Sequence, residues 1–239
     1  MSAMLKNAMG PGAVAGARYS RNCLLVLQPR AISECLESIA QLPLDKVYFR
    51  AYRERELVEP FNRFIAETRY ENYLVVADDV VVTVQAYRLV AELLEAHAIA
   101  TGYCRLCQGS PLLNVVKNPL RRENGKWALL SDYDFYHAAE VQTLEDPVFP
   151  TWFGGWSLTG MRREVWLEHP FRVNEWNGMQ SDFEMFFRLN RPIVAHRDAY
   201  IEHLKLTTDT SLNRNVLIGR VAPETIFSPY PGGESGRAA

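Results

Sequence analysis

The chain has 239 residues, 48% of them hydrophobic and 23% charged, with a formal net charge of -2. That balance describes a globular protein with a full core, in one large domain or two small ones. It gives no broad attraction to nucleic acid or anionic membrane, although a local basic groove stays open. No apolar run approaches the ~20 residues needed to span a bilayer.

Residues 1–21 are rich in Gly and Ala, carry Lys6, Arg18 and Arg21, and lack the apolar core of a signal peptide. They read as a flexible leader, and a cytoplasmic protein is the default expectation. Cys23 to Leu27 is a short apolar strand. Pro29 is expected to open a helix with Ile32, Cys35, Leu36 and Ile39 on one face. Lys46 to Tyr52 reads as a second strand, and the next helix aligns Phe61, Phe64, Ile65 and Thr68. A third strand ends in two acids. Thr83 can cap a helix whose stripe is Ala86, Leu89, Val90, Leu93 and Leu94. Ile99 to Leu106 is a fourth strand. Strand and helix thus alternate with short connections, which predicts a mostly parallel α/β sheet flanked by helices.

The pattern changes after Leu106. Residues 107–150 read as irregular, punctuated by Pro111, Pro119, Pro147 and Pro150. Helices are expected over Arg163–Glu168 and Ser181–Asn190, with strands near Ile193 and Tyr200. The tail from 229 to 239 reads as disordered. Cys104-Arg-Leu-Cys107 is a lone CxxC without a second ligand pair, so buried free thiols are expected.

The third strand carries the most information. Asn72-Tyr-Leu-Val-Val-Ala77 runs straight into Asp78-Asp79. A strand with both faces buried delivers these acids to the carboxyl edge of the sheet, where ligands of open α/β sheets sit. Paired acids there serve a divalent cation or a ribose.

Four segments together resemble the GT-A-fold glycosyltransferases, in particular the family 2-like inverting group, over residues 22–205. Leu24-Leu-Val-Leu-Gln-Pro-Arg30 is similar to the opening strand and nucleotide-binding loop. Asn62 lies in the helix before the acidic strand. Ala77-Asp78-Asp79 is similar to the DXD motif, and Gln180-Ser-Asp182-Phe-Glu184 to the segment bearing the catalytic base. The first acid of the usual run is here Ala77, and the usual Glu-Asp pair is Ser181-Asp182.

The resemblance implies a single GT-A-type, Rossmann-like domain. Residues 22–106 form a nucleotide-sugar-binding half and 107–228 an acceptor-binding and catalytic half. It implies a donor site of Gln28, Arg30, Asn62, Asp78, Trp152, Gly155 and Trp156. It implies a metal pair of Asp79 and His203, holding Mn²⁺ or Mg²⁺, and Asp182 as catalytic base. Ser181 can cap the helix and place Asp182 in its first turn, with Glu184 second in line and Arg188 free to pair with either acid. One of the two tryptophans is expected to face ligand and the other to be core.

The implied reaction is transfer of a sugar from a nucleotide-sugar donor, a UDP-sugar foremost, to a hydroxyl acceptor. The acceptor is a saccharide, or a hydroxylated base of DNA if Lys117, Arg121, Arg122, Arg162 and Arg163 form a groove. Two other readings compete: a nucleotidyltransferase, and a non-catalytic nucleotide-sugar-binding domain.

Overall fold

A computed structural model describes residues 21–27, 32–50, 54–124, 126–127, 132–175 and 180–205. The elements in chain order are β1 (Asn22–Leu27), α1 (Ser33–Ala40), β2 (Asp45–Phe49), a 3₁₀ turn (Glu54–Leu57), α2 (Val58–Glu67), β3 (Asn72–Ala77), β4 (Val80–Val81), α3 (Val84–Ala96) and β5 (Ile99–Tyr103). There follow β6 (Leu112–Val116), β7 (Arg122–Glu123), β8 (Lys126–Trp127), β9 (Phe135–His137), α4 (Ala138–Gln142) and β10 (Val148–Thr151). The chain continues with β11 (Thr159–Arg162), α5 (Arg163–Glu168), α6 (Ser181–Leu189), β12 (Ile193–Tyr200) and β13 (Glu202–His203).

Seven strands form the central sheet, in the order β10-β12-β5-β11-β3-β1-β2. β1 pairs in parallel with β2 and β3, and β5 with β12, while β11 and β10 run the other way. This is the mostly parallel, single-domain α/β sheet expected of the chain.

Alternation along the strands builds two cores. Cys23, Leu25 and Leu27 of β1, with Tyr73 and Val75 of β3, face Phe61 and Ile65 of α2, Trp166 of α5 and Met185 and Phe186 of α6. Leu24, Val26, Leu74 and Val76 point the other way, against Ile39 of α1 and Ala86, Val90 and Leu94 of α3. Helices thus cover both sheet faces, and each fully buried aliphatic side chain contributes ~1.5–3 kcal/mol.

Local signals explain the helices. Thr83 Oγ1 accepts the Ala86 N–H at 3.0 Å, the expected N-cap. Pro60 sits in the first turn of α2, where its missing N–H costs nothing. On α3 the buried stripe includes Tyr87, with Leu89 only partly covered.

Residues 107–150 are more ordered than expected. β6 and β9 pair, β7 and β8 form a hairpin, α4 carries a His137–Glu140 capping box, and β10 closes one sheet edge. These strands have two to five residues, too short for a period to show. The strands expected near Ile193 and Tyr200 are one element, β12, with an irregularity between its pairings at Ala195 and Tyr200.

β11 is the other departure. It comes from late in the chain but inserts between β3 and β5. A Cβ on Gly160 would lie 2.6 Å from Leu94 Cδ1, so helix α3 packs directly onto this strand only because a glycine is there. The two halves of the sequence therefore share one sheet.

None of the four cysteines is in a disulfide, and Cys23, Cys35 and Cys104 are buried. Burial pushes the Cys23 thiol up to about 12.

Candidate active site

β3 ends at Ala77, and a turn carries Asp78 and Asp79 off the sheet's carboxyl edge. Asp78 is buried, at 3% exposure. The chain then forms β4, which pairs antiparallel with β13 in the register Val80↔His203. That pairing joins two distant parts of the sequence. The Leu204 N–H donates to the Asp79 carbonyl at 2.9 Å. His203 Nε2 comes to 3.5 Å from Asp79 Oδ2, both side chains 16% exposed.

The histidine is oriented. Its Nδ1 lies 3.0 Å from the Arg105 carbonyl, which can only accept, so Nδ1 carries the proton and Nε2 turns toward Asp79. Burial opposes a charge on His203. The Cys104 sulfur and the Asp79 carboxylate beside it outweigh that and lift its pKa to about 11.

This pair fits a divalent cation once Nε2 releases the proton that the raised pKa places there, since an imidazole ligates a metal only through a deprotonated nitrogen. Two atoms that share one ion at ~2.1 Å each sit about 3–4 Å apart, as Nε2 and Oδ2 do. A carboxylate with an imidazole suits Mn²⁺ better than Mg²⁺. Among the described residues, no group of three or more His, Cys, Asp or Glu side chains converges as a metal cage.

The aromatic segment lies against the acidic turn, since the Ala77 N–H donates to the Trp156 carbonyl at 2.7 Å. Trp156 itself is core. It is 8% exposed, stacks on Phe171, and its indole N–H donates to Ser181 Oγ at 2.9 Å. Its ring is closed to a ligand in this packing. Trp152 is only partly buried and leans on the same core.

The two glycines serve the fold. A Cβ on Gly154 would lie 2.3 Å from Thr101 Oγ1 and 2.7 Å from Thr101 Cβ. Gly155 has φ 59, a conformation glycine adopts freely. Asn114, unremarked in the sequence, holds the turn. Its Nδ2 donates to the Gly154 carbonyl at 2.8 Å and its Oδ1 accepts the Cys104 N–H at 2.8 Å.

Asp182 stands in the first turn of α6, but Ser181 is not the cap. The N-cap is Gln180, in the left-handed region with φ 59 and no side-chain cap bond. Ser181 is the first helical residue, its hydroxyl held by Trp156. Asp182 Oδ1 accepts the Phe183 N–H at 2.8 Å. Burial raises the Asp182 carboxyl to about 7, the charge of Glu54 adding to the rise, while the backbone N–H groups and Lys205 pull it back. The helix end therefore does not keep it at an ordinary aspartate's acidity.

Lys205 follows β13 by two residues. Its reach to Asp182 puts the first turn of α6 within electrostatic range of the strand end that carries His203.

Glu184 is committed elsewhere. Its carboxylate pairs with Arg122 at 2.8 Å and lies 3.8 Å from Arg188 Nε. Asn62 is also engaged: its amide brackets the Phe171 backbone, donating to the carbonyl at 2.9 Å and accepting the N–H at 2.8 Å. Gln28 and Arg30 lie outside the described residues.

Lys117, Arg122, Arg162 and Arg163 do not gather into one groove. Lys117 pairs with Glu140 and Asp134, and Arg122 with Glu184. Arg162 pairs with Asn72 at the opposite end of β3 from Asp79, and Arg163 follows it. Both guanidinium groups there donate to backbone carbonyls. They line an open depression of ≈ 860 Å³ at that far edge, away from the acidic turn.

No protein-family model matches the chain, and no curated protein matches it. Three solved structures resemble part of its course. A197 from STIV is 13% identical over 77% of this chain and 81% of that one, with a TM-score of 0.48. GalNAc-T7, solved with UDP, GalNAc and Mn²⁺, is 10% identical over 78% of this chain and 43% of that one, with a TM-score of 0.49. S. aureus TarS 1-349 is 13% identical over 77% of this chain and 60% of that one, with a TM-score of 0.45. This chain thus spans less than two thirds of the GalNAc-T7 and TarS chains. Each is a likeness in the course of the chain, with no sequence kinship attached.

Proposed function

We propose that this protein is a metal-dependent glycosyltransferase of the inverting kind, taking a nucleotide-sugar donor at the carboxyl edge of its sheet. One observation carries the reading. A carboxylate at the end of β3 and an imidazole at the end of the described chain are brought to 3.5 Å, at the edge where open α/β sheets bind ligands.

Asp79 and His203 would hold Mn²⁺ or Mg²⁺, and when bound the cation offsets the negative charge that grows on a departing diphosphate. Asp78 lies beside them for a ribose hydroxyl. Trp152 offers a partly exposed aromatic face on which a base or sugar can stack.

Asp182 is the proposed base. A carboxyl lifted to about 7 is part-ionised at neutral pH and is a far stronger base than an ordinary aspartate. It takes the proton of the acceptor hydroxyl as that oxygen attacks the anomeric carbon. The backbone N–H of Phe183 holds its other oxygen's geometry while the proton moves. A saccharide hydroxyl suits this site better than a nucleic acid, because Lys117 and Arg122 are engaged in ion pairs and Arg162 and Arg163 lie at the far edge.

The test is calorimetric titration of UDP with and without Mn²⁺, followed by donor hydrolysis and transfer assays over a panel of UDP-, GDP- and dTDP-sugars. Metal-dependent binding with turnover supports the reading. Equal nucleotide affinity in EDTA overturns it, and binding without hydrolysis or transfer favours a non-catalytic nucleotide-sugar domain.

A further inference from the structure

The helix that carries Asp182 begins without a cap of its own. Gln180 contributes no side-chain bond at the N-cap position, although the first N–H groups of a helix have no partners within it. A residue far away in sequence fills the gap. Glu54 Oε2 accepts the Ser181 N–H at 2.9 Å. Glu54 opens the 3₁₀ turn after β2 and is only partly exposed. From the other side the Trp156 indole grips the Ser181 hydroxyl at 2.9 Å. The first turn of α6 is therefore pinned between the loop after β2 and the aromatic turn beside Ala77.

We propose that Glu54 is a positioning residue for Asp182: by capping α6 from the loop after β2, it orients the first turn that carries the Asp182 carboxylate and places a second negative charge beside it. The proposal rests on the reading of Asp182 as the base. Two effects of one carboxylate act together. A negative charge at a helix N-terminus is favourable, so Glu54 stabilises the start of α6. The same charge beside Asp182 disfavours a second carboxylate, as in any close acid pair.

Among the described residues, the charged and hydrogen-bonding groups that act on Asp182 come from three places. They are Glu54 from the 3₁₀ turn, Lys205 from the segment after β13, and the N–H groups of Asp182 and Phe183 on α6 itself. Of these, Glu54 alone opposes ionisation. Lys205, on a different element, works against it. Burial sets most of the proton affinity of Asp182, and on top of it the charges of Glu54 and Lys205 pull in opposite directions.

The chemical consequence is specific. A base must be ionised to accept a proton, yet the higher its proton affinity the better it pulls. Glu54 moves Asp182 toward the point where both conditions hold near neutral pH.

Glu54→Gln and Glu54→Ala separate the two effects. Glutamine keeps an oxygen for the Ser181 N–H and removes the charge, while alanine removes both. The first readout needs no substrate: carbon-13 NMR titration of side-chain carboxyls, with the Asp182 signal assigned by its loss in Asp182→Asn. We expect Glu54→Gln to lower the Asp182 midpoint by about one pH unit. The acid limb of the turnover profile should move by the same amount. Glu54→Ala should lower the midpoint equally and also cut turnover ~10-fold at every pH, because the first turn of α6 is uncapped. An unmoved Asp182 midpoint in Glu54→Gln overturns the proposal. A midpoint that moves, with turnover unchanged in Asp182→Asn, overturns the base reading and the positioning role with it, while leaving the electrostatic coupling measured.

Discussion

Arg122 and Glu184 meet at 2.8 Å, and the same guanidinium lies over the rings of Trp127 and Phe187. One arginine thereby fastens the β7–β8 hairpin to α6, the helix with Asp182 in its first turn. Trp127 adds ring contacts to Phe183 and Phe187. Glu184, 8% exposed, also faces Arg188. Its commitment to two arginines is the physical reason it makes a poor substitute for Asp182.

Removing that carboxylate leaves two cations in a poorly hydrated place. Glu184→Ala should cost ~2–4 kcal/mol of stability, read as a lower urea midpoint at unchanged slope. Arg122→Ala should cost less, because the guanidinium is 30% exposed. Equal stability of Glu184→Ala and wild type would show that the hairpin is not clamped through this pair.

Asp182 should impose a pH dependence on stability. Its carboxyl is held at about 7, against an ordinary 3.8. The folded protein therefore binds this proton more tightly than the unfolded chain. Ionisation opposes folding: the cost is absent below about pH 3.8, grows as pH rises, and is complete above about 7. Asp182→Asn should match wild type near pH 4 and exceed it at pH 8. The expected gain is ~1–3 kcal/mol, reduced from the full linkage value because the side chain is only half-buried. Turnover of the same variant should fall roughly 10²-fold or more, with donor affinity little changed. Melting curves at both pH values and single-turnover rates check the pair of outcomes.

Metal-dependent binding should need both members of the Asp79–His203 pair. Asp79→Ala and His203→Ala should each abolish the Mn²⁺ dependence of UDP affinity while leaving the protein folded, because a diphosphate beside carboxylates is repelled without a bridging cation. Calorimetry in Mn²⁺ and in EDTA reads this directly. A variant that still binds UDP more tightly in Mn²⁺ than in EDTA would remove that residue from the site.

Gly154→Ala should destabilise strongly. The new Cβ would lie 2.3 Å from Thr101 Oγ1, in the middle of β5. Thr101 is fully buried and bonded to Thr159, so neither side can give way cheaply. A loss of ~1–3 kcal/mol is expected from overpacking. A chemical-denaturation midpoint within error of wild type would mean that the turn can shift.

Asn62→Ala should cost ~1–3 kcal/mol, since two backbone groups of Phe171 lose their partner. If Asn62 also contacts donor, nucleotide affinity should fall beyond what the melting temperature explains.

Much of this protein was legible in its residues. Short, fully apolar runs such as Leu24–Leu27 and Tyr73–Val76, alternating with amphipathic helical stripes, read as strands buried on both faces of a sheet covered on two sides. The acids after such a strand had to emerge at its carboxyl edge. Thr83 announced its helix because capping is a local bond.

What the sequence could not determine is which distant residues meet. β11 enters between β3 and β5 because Gly160 lets α3 pack onto it, a fit among three elements. The resemblance implied that Asp79 and His203 act together, but the β4–β13 pairing that brings them to each other, through strands of two residues each, carries no periodic signal. Trp156 and Trp152 look alike in sequence, and only the neighbours of each ring made one core. Ser181 resembled a cap but lies inside the helix, while Glu54, in a charged loop far away, caps it. Periodicity and capping are read along the chain, whereas hydrogen-bond partners and proton affinities depend on separations in space, and these exist only once the sheet has closed.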